Sequence, residues 1–343
     1  MRVRGRHERG VQAMSSCHHE EMLIEMSRGC YLARATLPRT TGRGGCKGVA
    51  FCPGDATIGK AQMEHLLRAW PQVAAQRIKD QPLVVLTDYD GTLTPITRTP
   101  EQAILSSGTR SILQRLSRLP GVWLGVVSGR SLQEIRRLVR VTRMVYVGNH
   151  GLELAGHGVS FVHPQAQASR VILRRLAVRL KRALRGIPGA RMEWKGLTIS
   201  AHWRNVPRPA QRAFHHQIRR ITAADAQEAA IRLTHGKRVV EIRPPVDWDK
   251  GQAVEWVLSR LFGSDDARRG VPIYLGDDQT DEEAFRAVNR RGGVSVRVGR
   301  PSRRTAATYR LSHPREVYGW LVELGEFLTV RRRGTHDRAT GRA

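Results

Sequence analysis

Leu83-Val84-Val85-Leu86-Thr87-Asp88-Tyr89-Asp90-Gly91-Thr92 sets two carboxylates two residues apart at the end of an apolar run. A short run of Leu and Val bounded by turn residues predicts a buried strand. Side chains alternate along a strand, so residues two apart project toward one site. Gly91 and Thr92 follow at once and let the backbone turn sharply. Like charges so close are costly unless a cation neutralises them or one carries a proton. An Asp-rich turn that merely ends a strand has the same pentapeptide, so the rest of the chain decides.

Val122 to Ser128 is a second apolar strand, ending in Gly129-Arg130 before a helix expected from about Ser131. Met144 to Val147 is a third and stops at Gly148-Asn149-His150-Gly151. Pro272 to Gly276 is a later one and stops at Asp277-Asp278. Strands that each lead into a helix predict an α/β fold, a parallel sheet with helices on both faces. Ligands of such sheets bind beyond the carboxyl ends of the strands, where all these polar clusters fall. Between Leu152 and Pro245 the pattern suggests a second, smaller α/β domain inserted into the first, with strands at Gly196–His202 and Arg238–Ile242. Leu173, Leu176, Leu180 and Leu184 repeat at helical spacing within Ser169–Arg185, which predicts a surface helix with a solvated basic side. The expected divisions are a poorly ordered extension at 1–62, core at 63–154 and 247–330, an α/β cap at 155–246, and a disordered basic tail at 331–343.

The 343 residues suffice for one large domain or two ordinary ones. Lys and Arg number 58 against 30 Asp and Glu, a formal charge of +28 that attracts any polyanion. The basic residues are scattered, few aromatics accompany them, and no zinc-finger or RNA-binding signature occurs, so no dedicated nucleic-acid reader is expected. No apolar run is long enough to span a bilayer, and the N-terminus shows no secretory h-region, which makes the cytoplasm the expected location. All four cysteines (Cys17, Cys30, Cys46, Cys52) precede the strands and none forms a CxxC pair, so neither a redox pair nor a zinc site at Cys17-His18-His19-Glu20 is expected. A helical stretch begins at Met63 and leads into the first strand, which makes Met63 a candidate native start.

Asp88 suits a nucleophile on phosphorus, forming an aspartyl-phosphate, and Asp90 a general acid and base that protonates the leaving alkoxide. Mg2+ held by Asp88, Asp90 and Asp277 would cancel the repulsion between anions. Ser128 ends a strand just before a helix N-terminus and can bind a phosphoryl oxygen; the alternative is a simple N-cap. Lys250 precedes the helix Gln252–Phe262, where a cation opposes the dipole unless an anion lies between. Thr280 and Glu283 have capping-box spacing, which accounts for acidic residues in that first turn but not for Asp277 and Asp278. Asp281 is expected to orient the site from behind its ligands.

DYDGTLTPI, VSGR, GNHGLE, EIRPPVDWDKG and GDDQTDEEAF, in this order, resemble the trehalose-6-phosphate phosphatase family of the haloacid dehalogenase superfamily. The resemblance covers roughly residues 80–330. It implies a Rossmann-like core, a mobile α/β cap, Mg2+, and release of trehalose and phosphate from trehalose 6-phosphate. Asp88, Asp90, Ser128, Lys250 and Asp277 match the family's catalytic positions. Glu193, Lys195, Arg204, Lys237 and Glu241 match its substrate-contacting positions, and Glu193 and Lys195, two apart, would share one strand face, the alternative being a surface cross-strand ion pair. Arg130, and Asn149 and His150 at the end of a core strand beside the site, are further candidate substrate contacts, the alternative for His150 being a core-edge hydrogen bond. A functional link to a trehalose-6-phosphate synthase follows from the same resemblance. Two other readings are open: a related phosphatase acting on sucrose 6-phosphate or a mannosyl phosphate, and a non-catalytic regulatory or polyanion-binding protein that kept the fold, which the charge of +28 motivates.

Overall fold

The computed structural model describes residues 63–78, 81–262, 270–302 and 304–339, all within one compact unit, Ile58–Ala343. The expectations for segment 1–62, its cysteines included, lie outside the described residues, as does the end of the tail.

The strands are β1 (Glu64–His65), β2 (Leu83–Thr87), β3 (Val122–Val127), β4 (Met144–Gly148), β5 (Glu153–Gly156), β6 (Val159–Val162), β7 (Arg191–Trp194), β8 (Ile199–His202), β9 (Arg232–Gly236), β10 (Val239–Arg243), β11 (Val271–Gly276), β12 (Val294–Val298) and β13 (Tyr309–Leu311). The helices are α1 (Leu66–Val73), α2 (Ser107–Leu116), α3 (Leu132–Val139), α4 (Pro164–Ala168), α5 (Arg170–Leu184), α6 (Arg208–Gln227), α7 (Lys250–Phe262), α8 (Glu282–Arg290) and α9 (Pro314–Ala339).

One nine-stranded sheet has the order β1-β13-β12-β11-β2-β3-β4-β5-β6. It is parallel from β1 through β4, and the β5–β6 hairpin adds antiparallel at the edge. Both faces of β2 are buried, which explains its unbroken apolar run. Leu83 and Val85 join the core under α1, α2 and α9, with Ile112 and Trp320. Val84 and Leu86 join the opposite core under α7 and α8, with Val254 and Phe285. Each fully buried Val or Leu contributes roughly 1.5–3 kcal/mol, so the central strand is fixed in register. Registers Thr87 with Leu275 and with Val126, and Val127 with Val147, then align the carboxyl ends of β11, β2, β3 and β4.

The second sheet is antiparallel, in the order β7-β8-β10-β9. Leu173, Leu176 and Leu180 of α5 and Phe214 and Ile218 of α6 pack onto Ile199, Ala201, Val240 and Ile242. That buries one face of the small sheet and leaves the alternate residues for the other.

Three expectations are corrected. Residues 153–162, partly assigned above to the inserted domain, pair with β4 and extend the large sheet. Their alternating pattern (Leu154 and Phe161 inward) makes them a core hairpin. The tail from Arg331 is helical through Ala339 as a continuation of α9, because Arg is a good helix former and the helix is already nucleated. Finally, Met63 precedes a two-residue strand, and the helix begins at Leu66. Among the described residues no helix is long and apolar enough to cross a membrane.

Candidate active site

The aligned strand ends open onto a cavity of about 290 Å³. Asp88, Ser128, Lys250 and Asp277 line it from the core, beside Asp90 and Arg130. Glu193, Lys195, His202, Arg204 and Glu241 line it from the small sheet and its loops. The lining is polar because both sheets offer it what their cores exclude. On β10, Val240 and Ile242 point into the apolar layer and Glu241 away from it. On β7, Met192 and Trp194 do the same against Arg191 and Glu193, with Lys195 next in the alternation.

Lys250 is only 3% exposed and donates from Nζ to Asp88 Oδ1 and to Asp281 Oδ1, each at 2.8 Å. Burial alone would lower the lysine's pKa, but Asp281 and Asp88 raise it well above its usual value. A cation at the start of α7 is thus compensated by two carboxylates rather than left facing the helix dipole. Asp281 is fully enclosed. Its Oδ1 also accepts from the Tyr274 hydroxyl at 2.8 Å, and its Oδ2 accepts the amides of Asp277 at 3.0 Å and Asp278 at 3.1 Å. Four donors thus converge on one carboxylate.

Asp88, Asp277 and Asp281 offer carboxylate oxygens that all lie within 4.8 Å of one another. Burial raises Asp88 well above the usual range and adjacent Asp281 and Asp277 add to it, outweighing Lys250. Asp277 is pushed up to about 7 by burial and by Asp278 and Asp281. Crowded, desolvated oxygens of this kind fit a hard divalent cation, and Asp88 and Asp277 are the two whose oxygens are not already consumed by four donors. Asp90, expected among the metal ligands, stands outside the cluster. Arg130 donates to both its oxygens, Nε to Oδ2 at 2.7 Å and Nη2 to Oδ1 at 2.8 Å. Arg130 also pairs with Glu134 and donates to the Pro100 carbonyl at 2.8 Å, so it is itself a brace.

Asp278, for which the sequence offered no structural role, is the N-cap of the Gln279–Asp281 turn: Oδ1 accepts from the Thr280 amide at 2.7 Å. The capping box therefore runs from Asp278 to Asp281, not from Thr280 to Glu283, which pairs with Arg286. The chain enters a 3-10 turn two residues earlier than the Thr–Glu spacing suggests. Ser128 is not a helix cap either. Ser131 caps α3, accepting from the Glu134 amide, while the Ser128 hydroxyl accepts from the Arg130 amide at 3.2 Å.

Asn149 does not line the cavity. Its Nδ2 donates to Glu153 at 2.6 Å and to the Lys195 carbonyl at 2.9 Å, and its Oδ1 accepts from Thr198 at 2.6 Å. These bonds tie the end of β4 to the β7–β8 turn. Lys237 is exposed on the β9–β10 turn and outside the lining, though near enough to lower Asp277. His150 lies within 3.3 Å of Glu241 through Nε2, and its buried Nδ1 has no hydrogen-bond partner. Burial keeps this imidazole below its usual pKa. Burial would raise Glu241, but His150 and Lys195 prevail and hold it below the usual carboxylate range. Sequence reasoning missed Arg191 and His202, although both lie on the same strand face as Glu193, which the family resemblance had supplied. It also missed the loop Ile96–Pro100, which carries no periodic signal.

Gly91 has φ +93°, and a Cβ there would fall 2.3 Å from Asp277 Oδ2. Gly91→Ala should displace that carboxylate and lower turnover about 100-fold, against about 1–3 kcal/mol of backbone strain. Kinetics beside a thermal melt would check it; a purely proportional loss of folded protein would contradict it.

A Rossmann-like parallel sheet, an acidic cluster beyond its carboxyl edge and a second sheet above define a hydrolase of the haloacid dehalogenase type. The Trehalose-phosphatase family profile matches residues 86–315, and the chain belongs to that family of phosphatases. Trehalose 6-phosphate phosphatase RA3 of Zea mays is 33% identical over 281 residues, covering 77% of this chain and 73% of its own. A Mycobacterium tuberculosis protein described as an uncharacterized glycosyl hydrolase is 38% identical over 278 residues, 79% of this chain but 20% of its own. The C-terminal domain of the Candida albicans trehalose-6-phosphate phosphatase superposes with a TM-score of 0.62 at 25% identity, covering 72% of this chain and 93% of that one.

Proposed function

We propose that the chain hydrolyses trehalose 6-phosphate to trehalose and phosphate through an aspartyl-phosphate. The observation that carries this reading is that one cavity joins a nucleophile-and-cation floor to a polar sugar-sized wall. An Asp88 oxygen attacks phosphorus while the bond from phosphorus to the sugar oxygen breaks, and Asp90, freed from the Arg130 fork and carrying a proton, gives that proton to the sugar oxygen. Water then attacks the aspartyl-phosphate, Asp90 takes its proton, and phosphate leaves with Asp88 restored. Ser128 and Lys250 hold the phosphoryl oxygens, with Asp281 and Tyr274 fixing the lysine. Asp88 and Asp277 would hold Mg2+, which when bound supplies charge neutralisation at the phosphoryl group. Glu193, Lys195, Arg204 and Glu241, with His150 orienting Glu241, receive sugar hydroxyls; Lys237 stands at the margin. The reading carries with it a cytoplasmic location and a functional link to a trehalose-6-phosphate synthase.

The test is phosphate release from trehalose 6-phosphate beside sucrose 6-phosphate and glucose 6-phosphate, with Mg2+ and with chelator. Chelator-sensitive release from trehalose 6-phosphate alone supports the proposal. Preference for another ester moves the substrate, and release from none by folded, Mg2+-supplied protein rejects catalysis.

A further inference from the structure

One wall of the cavity has no part in the chemistry above. Ile96, Thr97, Arg98, Thr99 and Pro100, from the core loop that follows the paired aspartates, all line it. Side-chain exposure orders the cavity from floor to mouth. Lys250 at 3%, Asp88 at 7% and Lys195 at 9% lie at the bottom. Arg191 at 43% lies at the rim, where it pairs with Glu101 at 60%, and Ile96 of the same lining is 59% exposed.

The rim loop is held at both ends by the small sheet. Arg191 on β7 forks onto Glu101, with Nη1 donating to Oε2 at 2.8 Å and Nη2 to Oε1. Arg204 donates from Nη1 to the Thr97 carbonyl at 3.2 Å. Arg204, which the sequence suggested as a sugar contact, is thus engaged with the loop that faces the sugar. From below, Arg130 anchors Pro100, so the loop is fixed on three sides. Between these anchors Arg98 is exposed and makes no side-chain hydrogen bond or ion pair among the described residues, and Ile96, just ahead of the Thr97 anchor, has no cover.

An exposed isoleucine alone means nothing, since surfaces carry many. One held at the mouth of a polar cavity, beside a free guanidinium on a clamped loop, offers what a hexose ring binds. Its C–H face takes apolar surface and its hydroxyls take fork-like donors, and a loop fixed beforehand loses little entropy on binding. With phosphorus at Asp88 on the buried floor, the exposed Ile96 and Arg98 face the end of the sugar remote from the phosphate.

We infer that Ile96 and Arg98 form a subsite for the outer sugar ring, positioned by the Glu101–Arg191 and Arg204–Thr97 clamps, and that this subsite selects a disaccharide phosphate over a monosaccharide phosphate. The inference rests on the trehalose 6-phosphate reading. It is tested on the full chain by the ratio of kcat/KM for trehalose 6-phosphate to kcat/KM for glucose 6-phosphate, which has the first ring but not the second, with p-nitrophenyl phosphate as the gauge of the chemistry alone. In the double variant Ile96→Ala, Arg98→Ala that ratio should fall about tenfold, mostly through KM, as expected for losing two or so methylenes of contact. Glu101→Arg alone should lower the ratio, and adding Arg191→Glu should restore part of it by rebuilding the pair in reverse. An unchanged ratio in the double variant, or equal losses on both substrates, overturns the subsite. If the unmodified chain fails to turn over trehalose 6-phosphate but cleaves another ester, the functional reading has failed instead, and the two failures are told apart.

Discussion

Asp88→Asn is expected to lower phosphate release from every ester by roughly 10⁴-fold or more, the scale seen when a nucleophile is removed from an otherwise intact site. The geometry makes the loss specific to chemistry. Asn keeps the shape of Asp, and its carbonyl oxygen can still accept from Lys250, which retains Asp281 at 2.8 Å. The fold should therefore survive, and circular dichroism with a thermal melt would establish that. Asp90→Asn gives the contrast. Asp90 is braced by Arg130 outside the acidic cluster, so its loss removes the proton donor and base but not the attacking oxygen. With an ester whose leaving group needs no proton, Asp90→Asn should still form a covalent phosphoenzyme, detectable as acid-stable phosphate on the chain, whereas Asp88→Asn should form none. Phosphate release that survives in folded Asp88→Asn would assign the nucleophile to another residue.

What could be read in the chain and what could not separate along physical lines. Strand β2 was legible because both its faces are buried and its apolar run has no polar break. The site's place was legible because parallel strands deliver their loops to one edge, so Asp88, Ser128 and Asp277 had to be neighbours. The family resemblance supplied Glu193 and Lys195, and strand alternation followed from them along β7 and β8 would have added Arg191 and His202. The Asp90–Arg130 fork joins residues forty apart and depends on how two loops meet, which no local pattern encodes. Asn149 looked like a cavity residue because it sits at a strand end, yet three hydrogen bonds consume its amide. The Ile96–Pro100 rim has neither a period nor a motif, and only its neighbours across the cavity give it meaning.

Lys250→Met should destabilise the fold by about 3–5 kcal/mol at neutral pH, the usual cost of removing one partner from a buried ion pair. The loss is large because the lysine serves two carboxylates at once in a space with almost no water. Its pH dependence has a definite sign. Asp88 already lies well above the usual carboxylate range, raised by burial with Asp281 and Asp277, and Asp277 at about 7, raised by burial with Asp278 and Asp281. Lys250 lowers both, so its removal raises them further. A carboxyl raised in the folded state binds more protons there than in the unfolded chain, so stability falls as pH rises from the unfolded value of 3.8 toward the folded one. Below about 7 both folded proteins keep these carboxyls protonated, so the deficit of Lys250→Met against the unmodified chain should widen only as pH rises through about 7, and should be larger at about pH 8.5 than at about pH 5.5. Urea unfolding of both proteins at the two pH values, in chelator, measures it. Adding Mg2+ at the higher pH should recover part of the deficit, because a divalent ion bound at Asp88 and Asp277 would replace positive charge near where the ammonium stood. A deficit that is the same at both pH values and indifferent to Mg2+ would mean that the lysine stem's packing, not its charge, holds the acidic floor together.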